Sequence, residues 1–516
     1  MKLKRACGTL VHPTSFPSDF GIGDFGAGAY RFLDFLVETN QSVWQILPLG
    51  PTGYGNSPYA SYSAFAGNHY LISPDVLVKK GLLTEKEIGS SRVAASTKAD
   101  YDKAFSIKDQ LFVHAANRFY EKLSGEELQK FEAFKKENEY WLDDYVLFRS
   151  CLDFHGKQPW NTWDKELASR KKKALDAWRN KLDTEIKFQY WAQFEFFTQW
   201  MALKSYANDR GISVVGDIPI FVDHNSSDVW SNLKYFEVDK NGNRLLVAGV
   251  PPDYFSKTGQ LWGNPLYKWK VLEKDGFSWW LKRFEQMFAM YDSIRVDHFR
   301  GFDAYWEVKA DAKTAEVGRW VKGPGKKLFH TILGKFGDVP IIAEDLGVIT
   351  PGVVELRDGF GFPGMKILQF SLAGEAVNSF LPHNYHTSNC VVYTGTHDND
   401  TTRGWYSQAS DVEKHWAREY TRSDGREIHW ELIRLGIMSV ADLAIFPLQD
   451  FMGLDTEHRM NLPGTTDNNW VWRYTDGMLK SVQKEYLKHI INISNRNTRV
   501  RQEDTNIVEI DAEDAN

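Results

Sequence analysis

Three short apolar runs in this chain stop abruptly at an acidic residue, an earlier one carries its own acid, and stretches of helical periodicity separate them. They are Val214-Val215-Gly216-Asp217-Ile218-Pro219, Ser293-Ile294-Arg295-Val296-Asp297-His298-Phe299, Val339-Pro340-Ile341-Ile342-Ala343-Glu344-Asp345 and Val391-Val392-Tyr393-Thr394-Gly395-Thr396-His397-Asp398. A buried parallel strand reads as such a run, and an acid at its end is delivered to the carboxyl edge of the sheet. Repeated β-α units ending in acids predict an α/β fold, a TIM (β/α)8 barrel with its ligand contacts gathered at that edge. The chain's 516 residues exceed what one barrel needs, and insertions absorb the difference.

The second run is the most informative. In a strand over 293–299, side chains two apart share a face, so Arg295 and Asp297 point together while Ile294 and Val296 pack. A guanidinium beside Asp297 keeps it ionised and oriented, as a carboxylate nucleophile requires. An ion pair that merely closes a strand end explains a single instance better. Recurrence at Asp217, Glu344 and Asp398 is what shifts the balance towards chemistry.

The rest of the chain falls into place around these runs. Gly21-Ile22-Gly23-Asp24-Phe25-Gly26 matches a dinucleotide fingerprint but lacks the tight strand-to-helix turn before it, because Pro13 and Pro17 intervene. Ser42 to Leu49 reads as a strand, followed by a loop rich in Gly, Pro and Tyr over 50–62. Residues 73–185 turn charged and helix-forming, a mainly helical insertion over the barrel mouth, with Lys171-Lys172-Lys173 as an exposed face. Phe188, Trp191, Phe194, Phe197 and Trp200 predict a helix over 185–208 with one buried stripe. The segment 248–269 is too turn-rich for an element and too aromatic for a linker; Tyr254, Phe255 and Trp262 suit a lid over a polar ligand. Helices are expected over 279–291, 315–336, 352–360, 424–435 and 478–493, with strands over 365–370, 391–396 and 441–447. Residues 1–510 read as a single catalytic barrel and the acidic stretch 511–516 as a disordered tail.

Composition narrows the chemistry. With 62 basic against 68 acidic residues and no basic tract, a nucleic-acid surface is disfavoured. No apolar window of membrane-spanning length and no signal-like start occur, and Cys7, Cys151 and Cys390 are odd in number and far apart. These features predict a soluble cytoplasmic protein without disulfides or a membrane partner. Aromatic residues make up 14% of the chain, including 19 Trp, an excess that suits a groove for flat amphipathic rings such as sugars. Asp223-His224, Asp297-His298 and His397-Asp398 raise metal binding, but neighbours on a strand face opposite ways and no His-x-His occurs. Motifs for a serine nucleophile elbow or a phosphate loop are absent. Two carboxylates flanking a glycosidic bond, with a third nearby, remain the best use of acids on an aromatic-rich rim.

Arg295-x-Asp297, the Glu344 strand end and His397-Asp398, in that order, resemble the conserved regions of the α-amylase clan. The fuller pattern is similar to glycoside hydrolase family 77, the 4-alpha-glucanotransferases. Stretches carrying the likeness run nearly end to end, including Pro17 to Asp24, Trp44 to Pro51, Ser57-Pro58-Tyr59, Gly216 to Pro219, Val250 to Phe255, Arg295 to Gly301, Ala343 to Gly347, Gly395 to Asn399 and Arg459-Met460-Asn461. The resemblance implies Asp297 as nucleophile, Glu344 as general acid/base and Asp398 as a third acid that grips sugar hydroxyls. It implies substrate contacts at Tyr59, Asp217, Arg295, His397 and Asn461, and an arching loop with Tyr254, Phe255 and Trp262. Tyr54 and Tyr101 match aromatics that some members use for a remote glucan site, or are ordinary surface tyrosines. The implied activity is retaining transfer of an α-1,4-glucan segment to the 4-hydroxyl of glucose or a maltooligosaccharide, with no metal or organic cofactor and no C-terminal β-sandwich. An α-glucan hydrolase or a non-catalytic glucan-binding protein are the alternatives. Where the family usually has Gly-Asn-Pro this chain has Gly67-Asn68-His69, for which a local packing change is expected.

Overall fold

The computed structural model describes residues 4–252 and 256–499, so Tyr254, Phe255 and the acidic tail lie outside the described residues. Eight strands form one parallel sheet: β1 (Ala6–Leu10), β2 (Val43–Gln45), β3 (Ser213–Pro219), β4 (Ser293–Asp297), β5 (Ile341–Ala343), β6 (Gly364–Ile367), β7 (Cys390–Tyr393) and β8 (Leu443–Pro447). Hydrogen-bonded neighbours run β6-β7-β8-β1-β2-β3-β4-β5. The two ends of that order meet where the Ala343 N–H donates to the Pro363 carbonyl at 2.9 Å and the Met365 N–H to Asp345 Oδ1 at 2.7 Å. The sheet therefore closes into a (β/α)8 barrel, and closure removes the edges an open parallel sheet would expose.

Strands β7 and β8 are buried at every position, which is why they read as continuous apolar runs without alternation. Helices Ala27–Glu38, Asp183–Asn208, Ser278–Met290, Lys326–Phe336, Pro351–Gly359 and Ile428–Met438 pack their apolar stripes into the same core. One close approach requires glycine: a Cβ at Gly216 of β3 would fall 2.2 Å from the Tyr291 ring, which follows the Ser278–Met290 helix. Among the described residues no strand follows β8, only short helices and turns.

Between β2 and β3 the chain is mainly helical, with Tyr101–Lys122, Gly125–Glu137, Glu139–Phe154 and Lys172–Lys181 leading into Asp183–Asn208. Buried Lys108 ties the first of these helices to the barrel, donating to Asp24 Oδ2 at 3.1 Å and to the Tyr70 and Ile72 carbonyls at 2.7 and 3.0 Å. An ammonium is tolerated in such burial only when surrounded by acceptors. Lys171, Lys172 and Lys173 are exposed. The glycines of the 21–26 motif serve packing: Asp24 Oδ1 accepts the Gly26 N–H at 2.9 Å, and a Cβ on Gly26 would lie 2.6 Å from Ser73 Oγ. At Gly67-Asn68-His69 the departure from the family pattern opens a short 3-10 turn, His69–Leu71, capped by the Asn68 side chain accepting from the Tyr70 N–H.

Two expectations are corrected. Segment 248–269 contains structure after all: Leu246–Val250 and Gln260–Pro265 pair antiparallel, and with Ala304–Lys309 and Arg319–Lys322 they form a second, four-stranded sheet. Leu246–Val250 is held between the nearby Gln260–Pro265 and the distant Ala304–Lys309, and the local abundance of Gly and Pro outweighed the strand signal. The helix expected over 315–336 begins only at Lys326, because Gly323, Pro324 and Gly325 interrupt it and Arg319–Lys322 instead pairs with Ala304–Lys309.

The β8–β1 seam is fastened from beyond the barrel. Arg496, fully buried, donates to the carbonyls of Ala6 at 2.9 Å, Ile437 at 2.7 Å, Ala441 at 2.8 Å, Asp442 at 3.0 Å and Ser439 at 3.2 Å. The fork of a guanidinium suits this divergent set of acceptors. No helix among the described residues is long and apolar enough to cross a membrane.

Candidate active site

Strands β3 and β4 lie in register with Asp217 opposite Arg295 and Pro219 opposite Asp297. Arg295 Nη1 reaches both oxygens of Asp217, at 2.8 and 2.7 Å, while Nη2 lies 2.9 Å from Asp297 Oδ1. The shared strand face expected for Arg295 and Asp297 is therefore realised, with Asp217 as a second partner for the guanidinium. Tyr59, from the loop after β2, donates its hydroxyl to Asp217 Oδ2 at 2.6 Å. The Asp217 side chain has no exposure, whereas that of Asp297 is 27% exposed and faces the cleft. Burial pushes the Asp217 carboxyl up to about 7, with Arg295 opposing the shift.

Immediately after Asp297 the backbone turns sharply, because His298 adopts a left-handed conformation with φ of 50°. That turn aims the His298 N–H at Glu344 Oε2, 2.7 Å away, and the Leu346 N–H meets the other oxygen at 3.0 Å. Glu344 is thus fixed beside Asp297 by backbone donors. Burial raises its carboxyl to about 8; Arg295 opposes the shift and the Asp297 charge adds to it. A carboxyl group raised by burial and one in ion contact with arginine consequently stand at adjacent strand ends, in opposed electrostatic settings.

Asp398 follows β7 in a turn held by Asn399, whose Oδ1 accepts the Thr396 N–H at 2.8 Å. Asn461 Nδ2 donates to Asp398 Oδ1 at 2.7 Å, and His397 Nε2 lies 3.4 Å from Oδ2. Burial lowers the His397 pKa, Asp398 working against it. The Tyr59 and His397 rings stack at 5.2 Å, and Trp470 approaches them at 5.9 and 6.0 Å. Trp262 is 38% exposed and meets the His298 ring edge-on at 4.7 Å.

The structure thus brings together Tyr59, Asp217, Arg295, Asp297, Glu344, His397, Asp398 and Asn461, with Trp262 on the flank of His298. It separates the two remote candidates by environment. Tyr54 is 80% exposed, while Tyr101 is buried and donates to the Trp470 carbonyl at 2.8 Å, leaving no free ring face for a sugar. Two residues escaped sequence reasoning. Arg459 donates to the Asp398 carbonyl at 3.1 Å and to the Asn461 carbonyl at 2.9 Å, fixing the segment that delivers Asn461; it stood in the quoted Arg459-Met460-Asn461 stretch without a role. Trp470 carries no local signal, since only the fold brings it to Tyr59.

Carboxyl groups in these opposed settings, on the carboxyl edge of a (β/α)8 barrel and flanked by aromatic rings, define a class: an enzyme of glycosyl transfer. Comparison with known proteins narrows it. The family described as 4-alpha-glucanotransferase matches residues 11–480. A 4-alpha-glucanotransferase of Synechocystis sp. is 48% identical over 496 residues, covering 96% of this chain and 98% of its own. One from Thermus thermophilus is 49% identical over 486 residues, covering 93% and 96%. Among solved structures, the amylomaltase from Streptococcus agalactiae in complex with acarbose superposes with a TM-score of 0.92 at 40% identity, covering 96% of this chain and 100% of that one. The chain belongs to the 4-alpha-glucanotransferase family, glycoside hydrolase family 77.

Proposed function

We propose that the protein transfers a segment of an α-1,4-glucan to the 4-hydroxyl of glucose or a maltooligosaccharide by retaining double displacement. An Asp297 carboxylate oxygen attacks the anomeric carbon as the bond to the leaving sugar oxygen breaks, and Glu344 gives that oxygen its proton. Glu344, now ionised, takes the proton of the acceptor's 4-hydroxyl, which attacks the same carbon and releases Asp297. Asp398, steadied by Asn461 and Arg459, accepts from sugar hydroxyls; Tyr59 and His397 offer ring faces and hydrogen-bonding groups beside it. The observation that carries this reading is the pairing of Asp297 in ion contact with Arg295 at 2.9 Å and Glu344 raised to about 8 on the neighbouring strand end. A hydrolase would use the same acids, so the deciding measurement is product balance. Incubation with maltotriose alone should give glucose together with maltopentaose and longer chains at a nearly constant total of reducing ends. A steady rise in reducing ends with only shorter sugars would refute transfer.

The raised Glu344 also predicts a pH dependence. The acid must carry its proton when the donor binds, so kcat/KM for maltotriose should fall as pH rises through about 8. The alkaline limb should vanish in single-turnover release from an α-glycosyl fluoride, whose leaving group needs no proton. An unaltered limb with that donor would reassign the titration to another group.

A further inference from the structure

The loops after β4 and β5 are joined by more than Glu344's carboxylate. The Phe299 N–H donates to the Glu344 carbonyl and the Glu344 N–H to the Val296 carbonyl, both at 3.1 Å. One side chain also crosses this seam. Arg300, in the 3-10 turn Phe299–Phe302 that follows the nucleophile, is buried; its guanidinium lies 3.8 Å over the Trp320 ring and its Nη1 donates to the Val348 carbonyl. Its Nε is buried without a hydrogen-bond partner. Taking a guanidinium out of water for one carbonyl, one ring face and the nearby charge of Asp303 is expensive, and an apolar side chain would fill the space at lower cost. The question is what the Val348 carbonyl gains.

Segment 345–348 is pinned at its start, where Asp345 accepts from the Met365 N–H and pairs with Arg357. Beyond Leu346 it runs exposed until Ile349 returns to the core: Gly347 sits at φ of 85° with open space where a Cβ would be, and Val348 is 55% exposed. Between the pinned start and Val348 lies Leu346, whose N–H meets Glu344 Oε1 at 3.0 Å. We infer that Arg300, seated on Trp320, is a positioning residue for Glu344, holding the Val348 end of this turn so that the Leu346 N–H keeps the carboxyl aimed at the leaving oxygen. The inference rests on Glu344 being the proton donor. It gives the second sheet a part in the reaction, because Trp320 belongs to its Arg319–Lys322 strand.

The test separates proton donation from nucleophilic attack. Maltotriose needs its leaving sugar protonated, whereas fluoride leaves α-maltosyl fluoride without help, so first-turnover fluoride release reports attack by Asp297 alone. Arg300→Met should lower kcat on maltotriose about ten- to a hundredfold with KM changed less than about twofold, and keep first-turnover fluoride release within about threefold of the parent. Arg300→Lys, which can still reach the carbonyl, should recover part of the loss. Equal losses on both donors, or no loss on either, overturn the inference. If Arg300→Met does not fold, Trp320→Leu at the partly exposed seat decides: the same split in smaller degree supports the assignment, and its absence overturns it. Glu344→Gln measured alongside keeps the two readings apart. If it shows the split and the Arg300 variants do not, the positioning role alone fails; if it shows none, the proton-donor reading fails and the inference falls with it.

Discussion

Replacing Asp297 with alanine should lower glucan transfer by about four to six orders of magnitude while leaving the affinity for a long maltooligosaccharide within a few-fold of the parent. The expectation follows from where the side chain sits. Asp297 ends β4 with one oxygen on Arg295 and a side chain 27% exposed to the cleft, so its removal costs no core packing and leaves the aromatic and polar contacts around Asp398 in place. In the proposed double displacement, what disappears is the atom that forms the covalent bond, and the loss is confined to the transition states on either side of it. Turnover on maltotriose and binding by calorimetry check the two halves separately. A folded variant retaining a tenth of the parent's turnover would falsify the assignment of the nucleophile.

The second large effect concerns Arg295. Its guanidinium lies on two carboxylates, and Asp217 has no exposure through which water could replace it. Arg295→Met should abolish activity and destabilise the fold by about 3–5 kcal/mol, because a buried Asp217 is left without a counter-charge. The companion experiment is the double variant Arg295→Met with Asp217→Leu. Removing both charges should restore most of the stability measured by urea unfolding, while transfer stays lost because Asp297 is no longer oriented. If the single variant unfolds at the parent's urea concentration, Arg295 is not compensating Asp217 and the electrostatic account of the site is wrong.

The parts of this architecture that were legible in sequence are those whose physics is local. The Arg295-x-Asp297 spacing places two side chains on one strand face whatever the rest of the chain does, and the strand before Glu344 ends where the acid begins, while Asp398 follows its strand across a short turn. The aromatic stripe from Phe188 to Trp200 announces its helix by period alone. What could not be read depends on residues brought together from far apart. Leu246–Val250 becomes a strand because Ala304–Lys309 lies beside it, and Trp470 reaches Tyr59 across 411 positions of chain. Tyr101 shows the converse: its sequence position suggested a surface aromatic, but its hydroxyl belongs to an internal bond with the Trp470 carbonyl. Asp217, matched by resemblance as a substrate contact, has partners that no local pattern announces: Arg295 from the next strand and Tyr59 from the loop after β2.

Arg496 has a consequence for how the molecule comes into being. During synthesis the first strand emerges some hundreds of residues before the eighth, and when both are present their paired lower ends share carbonyls that Arg496 gathers together with Arg5. The ribosome must therefore release almost the entire described chain before the barrel can be clasped. Until β8 arrives, β1 has β2 on one side and an open edge on the other, the kind of surface that invites the wrong neighbour. A nascent chain stalled short of residue 496 should consequently be held by chaperones or cleared by proteases, however complete its catalytic residues already are.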